Sequence, residues 1–291
     1  MTDQLELLKK YRIGVLAGGP SSEREISLKS GKAVFDILRK SGLDVSFIDV
    51  EEQGFDASLE EAGISLAFIA LHGRFGEDGT VQALLAKRKI PYTGSGPESS
   101  ALALDKLASK EVFEKEGIFV PRYRVVSKDQ DTADISFTFP CVVKPRHEGS
   151  SVGLSIVSSG DQLSEAVRCA FEFDDEIMVE EYNPGREITV GILGDASLPV
   201  IEIVAENNIY DYNAKYTSSE TEYKVPAGLD EDVYLRVQEA GLKAHRSLGC
   251  RGFSRVDMRL AGDGKVFVLE VNTIPGLTER SLLPMAAKAE G

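Results

Sequence analysis

Apolar and polar positions alternate in blocks along the first hundred residues. Three short apolar runs have the length and composition of buried strands: 12–17, 44–50 and 65–71. Ser22 and Glu25 have the spacing of a capping box, which predicts a helix that runs to about Lys40. Another helix is predicted over about 80–88. Strands that alternate with helices in this way predict a parallel sheet covered by helices, and hence an α/β fold.

The pattern in the rest of the chain predicts two further units. A helix over about 98–116 leads into the second unit, with strands over 141–144 and 176–180 and a helix over about 160–171. The last unit is predicted to contain strands near 188–193 and 198–203, a helix over about 231–248, and two final strands, 252–260 and 265–271. The Ala-Gly-Asp-Gly turn at 261–264 is typical of a hairpin.

Composition and charge exclude several classes of function. The chain has 291 residues, with 33 lysines and arginines against 47 aspartates and glutamates, a formal net charge of −14. A protein this acidic, without a basic run, is not expected to bind nucleic acid by neutralising phosphates. No apolar stretch approaches about 18 residues, so no membrane span is expected. The first residues lack the apolar core of a signal peptide, which predicts a cytoplasmic location.

The final hairpin carries the most informative polar residues. Residues two apart on a strand share a face, so Arg255 lies beside Asp257, and Glu270 lies beside Asn272. The tight turn is expected to set these two pairs nearly opposite each other. Carboxylate and amide oxygens are ligands suited to Mg²⁺ that is bound together with substrate phosphates. A solvated outer face is the alternative. We expect the same faces to carry Phe253, Val266 and Val268 as well, so that the polar groups cluster at one end.

A loop rich in glycine and serine, Gly149–Gly153, follows Lys144 and could bind phosphate oxygens through its N–H groups. On its own, such a loop is more often an ordinary turn. The nucleotide-binding patterns GxxxxGK[ST] and GxGxxG are both absent.

Eight segments, taken together and in order, carry a resemblance to a known family. They are GGPSSEREIS (18–27), LHGRFGEDGTVQ (71–82), PYTGSG (91–96), DKLASK (105–110), KPRHEGSSVG (144–153), YDYNAKY (210–216), RVDM (255–258) and LEVNTIPGLTERSLLP (269–284). The chain resembles the D-alanine–D-alanine ligases of the ATP-grasp superfamily over essentially its whole length. The resemblance implies a three-domain ATP-grasp architecture whose first domain has a Rossmann-like parallel sheet. The expected domains are 1–103, 104–188 and 189–291.

The resemblance implies a nucleotide site with ATP and two Mg²⁺ ions, which Mn²⁺ could replace. Three residues would hold the metal: Asp257, Glu270 and Asn272. Four would contact phosphates: Lys106, Lys144, Ser151 and Lys215. Glu180 and Glu187 match the contacts to adenine and ribose. Arg146 and His147 occupy variable positions, for which the resemblance implies no role.

The resemblance also implies the residues that handle the amino acids. Arg255 and the N–H of Gly276 would stabilise an oxyanion. Glu23 would meet the ammonium group of the first D-alanine, with Ser150 and Tyr216 completing a hydrogen-bonded triad. The second D-alanine would contact Ser281, Leu282 and Lys215, and His72 would lie near substrate.

The implied reaction is ATP-dependent synthesis of D-alanyl-D-alanine through an acyl phosphate, for peptidoglycan precursors, by a cytoplasmic homodimer. Lys215 and Tyr216 favour an amine over D-lactate as the nucleophile. One alternative is another ATP-grasp ligase, such as a D-Ala–D-Ser enzyme. Two others are an NAD-dependent dehydrogenase, which the missing GxGxxG disfavours, and a non-catalytic nucleotide-binding regulator.

Overall fold

The first part of the chain is a three-stranded parallel sheet covered by helices. The computed structural model describes residues 2–129, 137–204 and 221–291. The first elements are α1 (Thr2–Leu8), β1 (Arg12–Gly18), α2 (Arg24–Lys40), β2 (Asp44–Val50), α3 (Phe55–Ala62), β3 (Leu66–Ile69) and α4 (Thr80–Lys87). Strand β1 pairs in parallel with both neighbours, in the order β2-β1-β3. The predicted parallel sheet is therefore confirmed.

The start of α2 differs from the prediction. The helix begins at Arg24, and its N-cap is Glu23, whose side chain makes no capping hydrogen bond. The predicted capping box at Ser22 and Glu25 is therefore wrong. The preceding Ser21 hydroxyl instead donates to the His72 carbonyl oxygen at 2.6 Å, so this turn is tied to the loop after β3 rather than to its own helix.

The single helix predicted over 98–116 is two helices, α5 (Pro97–Leu104) and α6 (Lys106–Lys115). Asp105 breaks the helix because its backbone is extended, with ψ of 99°. Its carboxylate accepts hydrogen bonds from the N–H groups of Leu107 and Ala108, each at 3.1 Å, and so caps α6. The cap places Lys106 in the first turn of a helix.

The middle of the chain forms a four-stranded antiparallel sheet. Its elements are β4 (Tyr123–Ser127), β5 (Cys141–Pro145), β6 (Ser155–Val157), α7 (Gly160–Ala170) and β7 (Glu176–Glu181). The strand order is β4-β7-β5-β6. Helix α7 packs on one face, where Val143, Val167 and Val179 belong to one buried cluster. The loop that follows β5 contains the glycine and serine residues singled out above.

The last part forms the largest sheet, which is antiparallel throughout. Its elements are β8 (Gly185–Leu193), β9 (Ala196–Ser197), β10 (Ile201–Val204), β11 (Glu222–Lys224), α8 (Glu231–Ser247), β12 (Phe253–Ala261), β13 (Val266–Asn272) and α9 (Leu282–Glu290). The order is β11-β10-β8-β12-β13, with β9 paired to β8. Helices α8 and α9 both pack on β8. The predicted boundary between 188 and 189 lies within β8, and the division into three domains stays a prediction.

None of the helices in the described ranges combines the length and hydrophobicity that crossing a membrane requires.

Helix α2 lies close against β1 at Gly31. A Cβ atom added there would sit 2.4 Å from the Cβ of Ala17. We expect Gly31→Ala to lower the free energy of unfolding by about 1–3 kcal/mol, because overpacking outweighs the gain of about 1 kcal/mol in helix propensity. Gly228→Ala is the control, since no atom lies within 4 Å of its added Cβ. Urea unfolding of both variants measures the difference, and an unchanged midpoint for Gly31→Ala would contradict this account.

Candidate active site

The two strands of the final hairpin bring four polar side chains together. Arg255 pairs with Asn272, and Asp257 pairs with Glu270, in the register of β12 with β13. This is the arrangement that the sequence predicts. The next pair is Met258 with Val268, so the register shifts by one residue after Asp257. Leu269 is the extra residue of a β-bulge.

The bulge separates the polar end of the hairpin from its apolar end. Val268 pairs with Met258, and Val266 pairs with Leu260. All four side chains belong to one buried core cluster. The expectation that the two valines share a face with the polar group is therefore wrong. A bulge reverses the alternation of side chains along a strand. The polar pairs thus occupy one face without placing any valine there.

Two adjoining cavities contain every predicted site residue that the structure describes. The first has a volume of about 280 Å³ and is lined by Glu23, His72, Lys106, Ser150, Arg255, Glu270, Asn272, Gly276, Ser281 and Leu282. The second has about 120 Å³ and is lined by Lys106, Lys144, Ser151, Glu180, Glu187, Asp257 and Glu270. Lys106 and Glu270 border both cavities. Lys215 and Tyr216 lie outside the described residues.

Arg255 and Asp257 form a two-pronged ion pair between the cavities. The Nε and Nη2 atoms of Arg255 donate to the two Asp257 carboxylate oxygens at 2.8 and 2.7 Å. The Thr189 hydroxyl also donates to Asp257, at 2.7 Å. Both side chains of the pair are largely buried, so the guanidinium and the carboxylate balance each other's charge inside the protein.

The hairpin residues fit a hard divalent cation that is shared with a bound phosphate. Asp257, Glu270 and Asn272 offer two carboxylates and one amide oxygen from two register pairs on the same face of the hairpin. Within the described ranges, no three carboxylate, histidine or cysteine side chains form a metal-binding group. Mg²⁺ is bound by few protein ligands and commonly takes the remainder from phosphates and water. A small donor set of this kind therefore suits Mg²⁺ with a nucleotide, and not a cation held by protein alone.

The first cavity is closed on one side by contacts between distant parts of the chain. The Ser150 hydroxyl donates to the Glu23 carboxylate, which joins the loop after β5 to the start of α2. Ser150 and Ser151 have φ of 48° and 60°, in the left-handed region that side chains rarely adopt. The loop is thus held in a shape with both serines turned toward the cavities.

His72 is a buried residue of the first cavity. Its Nε2 atom lies 3.1 Å from the Ser30 hydroxyl. Burial lowers the pKa of His72, and the negative charge of Glu23 opposes this effect only in part. The imidazole is therefore neutral near pH 7, and it contributes hydrogen bonding rather than charge to this cavity.

Lysines and acidic residues alternate around the second cavity. Lys144 Nζ lies 2.9 Å from a Glu180 oxygen, and Arg259 Nη2 lies 2.9 Å from Glu187. Lys106 donates to the carbonyl oxygen of Glu148. Burial lowers the pKa of Lys106. The positive groups are thus already placed near where an anionic ligand would bind.

Sequence reasoning missed Glu77, a buried residue of the first cavity. Its carboxylate accepts hydrogen bonds from the N–H groups of Gly73, at 2.7 Å, and Ile274, at 3.3 Å. Burial, followed by the charge of Glu23, raises the pKa of Glu77 to about 8. It lies in the quoted segment 71–82, but the sequence gives no sign of its distant partner, Ile274.

Arg146, to which no role was assigned, connects two phosphate-side elements. Its guanidinium donates to Asp105 at 2.7 and 2.5 Å and to Glu176 at 2.5 Å. The loop after β5 is thereby fixed to the N-terminus of α6, where Lys106 lies. Arg146 and Asp105 are about 40 residues apart in the chain, so no local sequence pattern predicts that they pair.

The chain matches family descriptions over most of its length. The model described as "D-ala D-ala ligase C-terminus" matches residues 112–291, and "D-ala D-ala ligase N-terminus" matches 51–95. The D-alanine–D-alanine ligase of Geobacter sulfurreducens is 48% identical over 285 residues, covering 97% of this chain and 90% of the relative. That of Geotalea uraniireducens is 47% identical over 286 residues, covering 98% and 92%.

Two solved structures have the same fold. The D-alanine–D-alanine ligase from Bacillus anthracis complexed with ATP matches with a TM-score of 0.83 and 35% identity, covering 97% of this chain and 92% of that one. The VanG D-Ala:D-Ser ligase from Enterococcus faecalis matches with a TM-score of 0.81 and 32% identity, covering 96% and 94%. The fold is that of an ATP-grasp ligase. The chain belongs to the D-alanine–D-alanine ligase family, whose members are ATP-dependent ligases.

Glu77 is expected to make stability depend on pH. The pKa of Glu77 is about 8 in the folded protein, against an ordinary value of 4.5. Between these two pH values the folded protein therefore keeps a proton on Glu77 that the unfolded chain has lost. Stability therefore falls as pH rises through this window, by at most about 1.4 kcal/mol per pH unit. We expect the free energy of unfolding of the wild type, relative to Glu77→Gln, to decrease from about pH 5 to about pH 8.

Urea unfolding at several pH values measures this difference. Glu60→Gln, at an exposed position of α3, is the matched control and should run parallel to the wild type. Parallel curves for Glu77→Gln as well would show that Glu77 keeps its ordinary titration.

Proposed function

We propose that this chain joins two D-alanine molecules into D-alanyl-D-alanine, with ATP as the energy source, in the synthesis of peptidoglycan precursors. The observation that carries the proposal is the final hairpin, which sets Arg255 and Asp257 opposite Asn272 and Glu270 where the two cavities meet. A reaction that couples phosphoryl transfer to amide formation requires the nucleotide and the amino acids to be held side by side. ATP would occupy the second cavity, and the amino acids would occupy the first.

The residues of the second cavity supply the groups that a nucleotide needs. Lys106, Lys144 and Ser151 would contact the phosphates, as would Lys215, which lies outside the described residues. Glu180 and Glu187 would accept hydrogen bonds from adenine and ribose. Positioning and charge neutralisation are the main requirements of phosphoryl transfer, and a protein of net charge −14 needs these lysines to attract a triphosphate.

Asp257, Glu270 and Asn272 would hold two Mg²⁺ ions, or Mn²⁺ in their place. When bound, the metal neutralises the charge of the phosphates as one of them is transferred. Asp257 would then exchange a carboxylate contact with Arg255 for one with the metal. This exchange frees part of the guanidinium on the substrate side.

The residues of the first cavity suit the two amino acids. Glu23 would bind the ammonium group of the first D-alanine, with Ser150 and Tyr216 holding it in place. A carboxylate resists attack until its oxygen becomes a leaving group, which the acyl phosphate provides. Arg255 and the Gly276 N–H would then stabilise the oxyanion that forms as the second amine attacks. Neutral His72 would lie near the substrate.

The second D-alanine would bind in the part of the first cavity that Ser281 and Leu282 line. Ser281 is the N-cap of α9. A helix N-terminus favours the carboxylate of an amino acid. Lys215 would provide a further contact to the same carboxylate.

The resemblance to the family also suggests the oligomeric state and the cellular location. We propose a cytoplasmic homodimer built of three domains, 1–103, 104–188 and 189–291, which binds neither membranes nor nucleic acid. The acidic charge of the chain supports the last point.

A second candidate is ligation of D-serine in place of the second D-alanine. It is favoured by the 32% identity to the VanG D-Ala:D-Ser ligase. The two reactions differ only in the nucleophile, so the residues that bind ATP and the first D-alanine serve both.

Purified protein incubated with ATP, Mg²⁺ and D-alanine alone should release ADP and phosphate and form the dipeptide. Dipeptide detection by mass spectrometry and coupled ADP release measure the two products. When D-serine or D-lactate is added in equal amount at neutral pH, D-alanyl-D-alanine should remain the main product. Predominance of the mixed product would favour the alternative ligase, and no dipeptide with any of these substrates would contradict the proposal.

Arg255→Met should lower kcat by about 10²- to 10³-fold, which is the usual effect of removing an oxyanion donor. Binding of ATP with Mg²⁺ should be retained, because Asp257 is then released from its ion pair. Arg236→Met, at an exposed position of α8, is the matched control. Steady-state kinetics and calorimetry separate these effects, and a kcat within about twofold of wild type would remove Arg255 from catalysis.

A further inference from the structure

Three charged side chains form a buried cluster behind the second cavity. Glu180, on β7, lies between Lys144 on β5 and Lys110 on α6. Its oxygens are 2.9 Å from Lys144 Nζ and 3.3 Å from Lys110 Nζ. Lys110 is fully buried, and its ammonium group lies 5.6 Å from the centre of the Tyr123 ring. One carboxylate therefore faces two ammonium groups within the protein.

The two lysines differ in where they lie. Lys144 and Glu180 both line the second cavity, but Lys110 does not. Lys110 approaches Glu180 from the protein interior, and in the described parts of the chain neither Lys110 Nζ nor the Glu180 Oε1 atom has a well-aligned hydrogen bond. The contact between them is thus mainly electrostatic. A lysine buried this deeply costs stability unless its charge is matched.

The directions of the pKa shifts agree with charged side chains in this cluster. Burial alone would raise the pKa of Glu180, but the charges of Lys110 and Lys144 outweigh it and hold this pKa below its usual value. Burial lowers the pKa of Lys110 to about 8, and Glu180 opposes that effect. Near neutral pH Lys110 therefore carries a positive charge that faces the ionised carboxylate of Glu180.

We propose that Lys110 is a positioning residue that acts as the buried counter-ion of Glu180 and so allows Lys144 to move its charge from Glu180 to the ATP phosphates. This inference rests on the proposed function, because it assumes that ATP binds in the second cavity. It assigns a role to a lysine that touches neither the cavity nor the ligand.

The reason lies in the cost of an unpaired buried charge. If Lys110 were absent, Lys144 would be the nearest cation to Glu180. Any movement of Lys144 toward a phosphate would then leave a buried carboxylate without a counter-ion, which is strongly unfavourable. With Lys110 in place, Glu180 keeps one cation while the other is shared with the ligand. Glu180 also stays ionised and can accept a hydrogen bond from the amino group of adenine.

Lys110→Met tests the proposal, because methionine fills a similar volume without the charge. We expect ATP to bind about tenfold more weakly or worse, measured by calorimetry with ATP and Mg²⁺ in the absence of D-alanine. The KM for ATP should rise by a similar factor, while the KM for D-alanine should stay within about twofold. Lys115→Met is the matched control on α6, at an exposed position, and should change neither.

The double variant Lys110→Met with Glu180→Gln separates charge from packing. A neutral glutamine needs no counter-ion, so Lys110→Met should change ATP affinity by less than about threefold in this background. An equal loss in both backgrounds, or wild-type ATP affinity of Lys110→Met, would overturn the proposal. If Lys110→Met alone does not fold, Lys110→Gln takes its place and is compared in the same two backgrounds, wild type and Glu180→Gln. Failure of the proposed function is distinct, because the wild type itself would then make no dipeptide.

Discussion

The pairing of β12 with β13 is the constraint on which the rest of the site depends. Backbone hydrogen bonds fix the register, and the bulge at Leu269 changes which face the following residues occupy. Val266 and Val268 thereby enter the core, while Glu270 and Asn272 face Asp257 and Arg255. One hairpin thus satisfies two demands at once. Its apolar end packs in the core of the large sheet, and its polar end places charged side chains at the cavities instead of in the core.

Residues from the other two parts of the chain contact the polar end of the hairpin and bound the first cavity. Ile274, just after β13, packs in the core of the first part of the chain, and its N–H is bound by Glu77. Glu23 from the start of α2 is joined to Ser150 in the loop after β5. The first cavity is therefore bounded by groups from all three sheets.

The sequence predicts local features of this site well and distant ones poorly. The positions of Arg255, Asp257, Glu270 and Asn272 follow from strand alternation and a tight turn, so their register is predictable. The bulge at Leu269 is not, because it depends on how β13 packs against β12 and α8. The partners of Arg146, Lys110 and Glu77 are likewise set by tertiary structure. The break at Asp105 is intermediate, since aspartate is a common N-cap but the preceding residues favour a continuous helix.

Charge pairing explains how such a site is stable before any ligand binds. Arg255 is paired with Asp257, Lys144 with Glu180, and Arg259 with Glu187, so each of these three largely buried cations already has an anion beside it. Under the proposed function, a bound nucleotide would exchange one carboxylate partner for a phosphate, so the cation would not be left alone in an apolar environment. The displaced carboxylates need new cations in turn. Under the proposed function, Asp257 would find one in a divalent metal, whereas Glu180 would keep the buried ammonium group of Lys110.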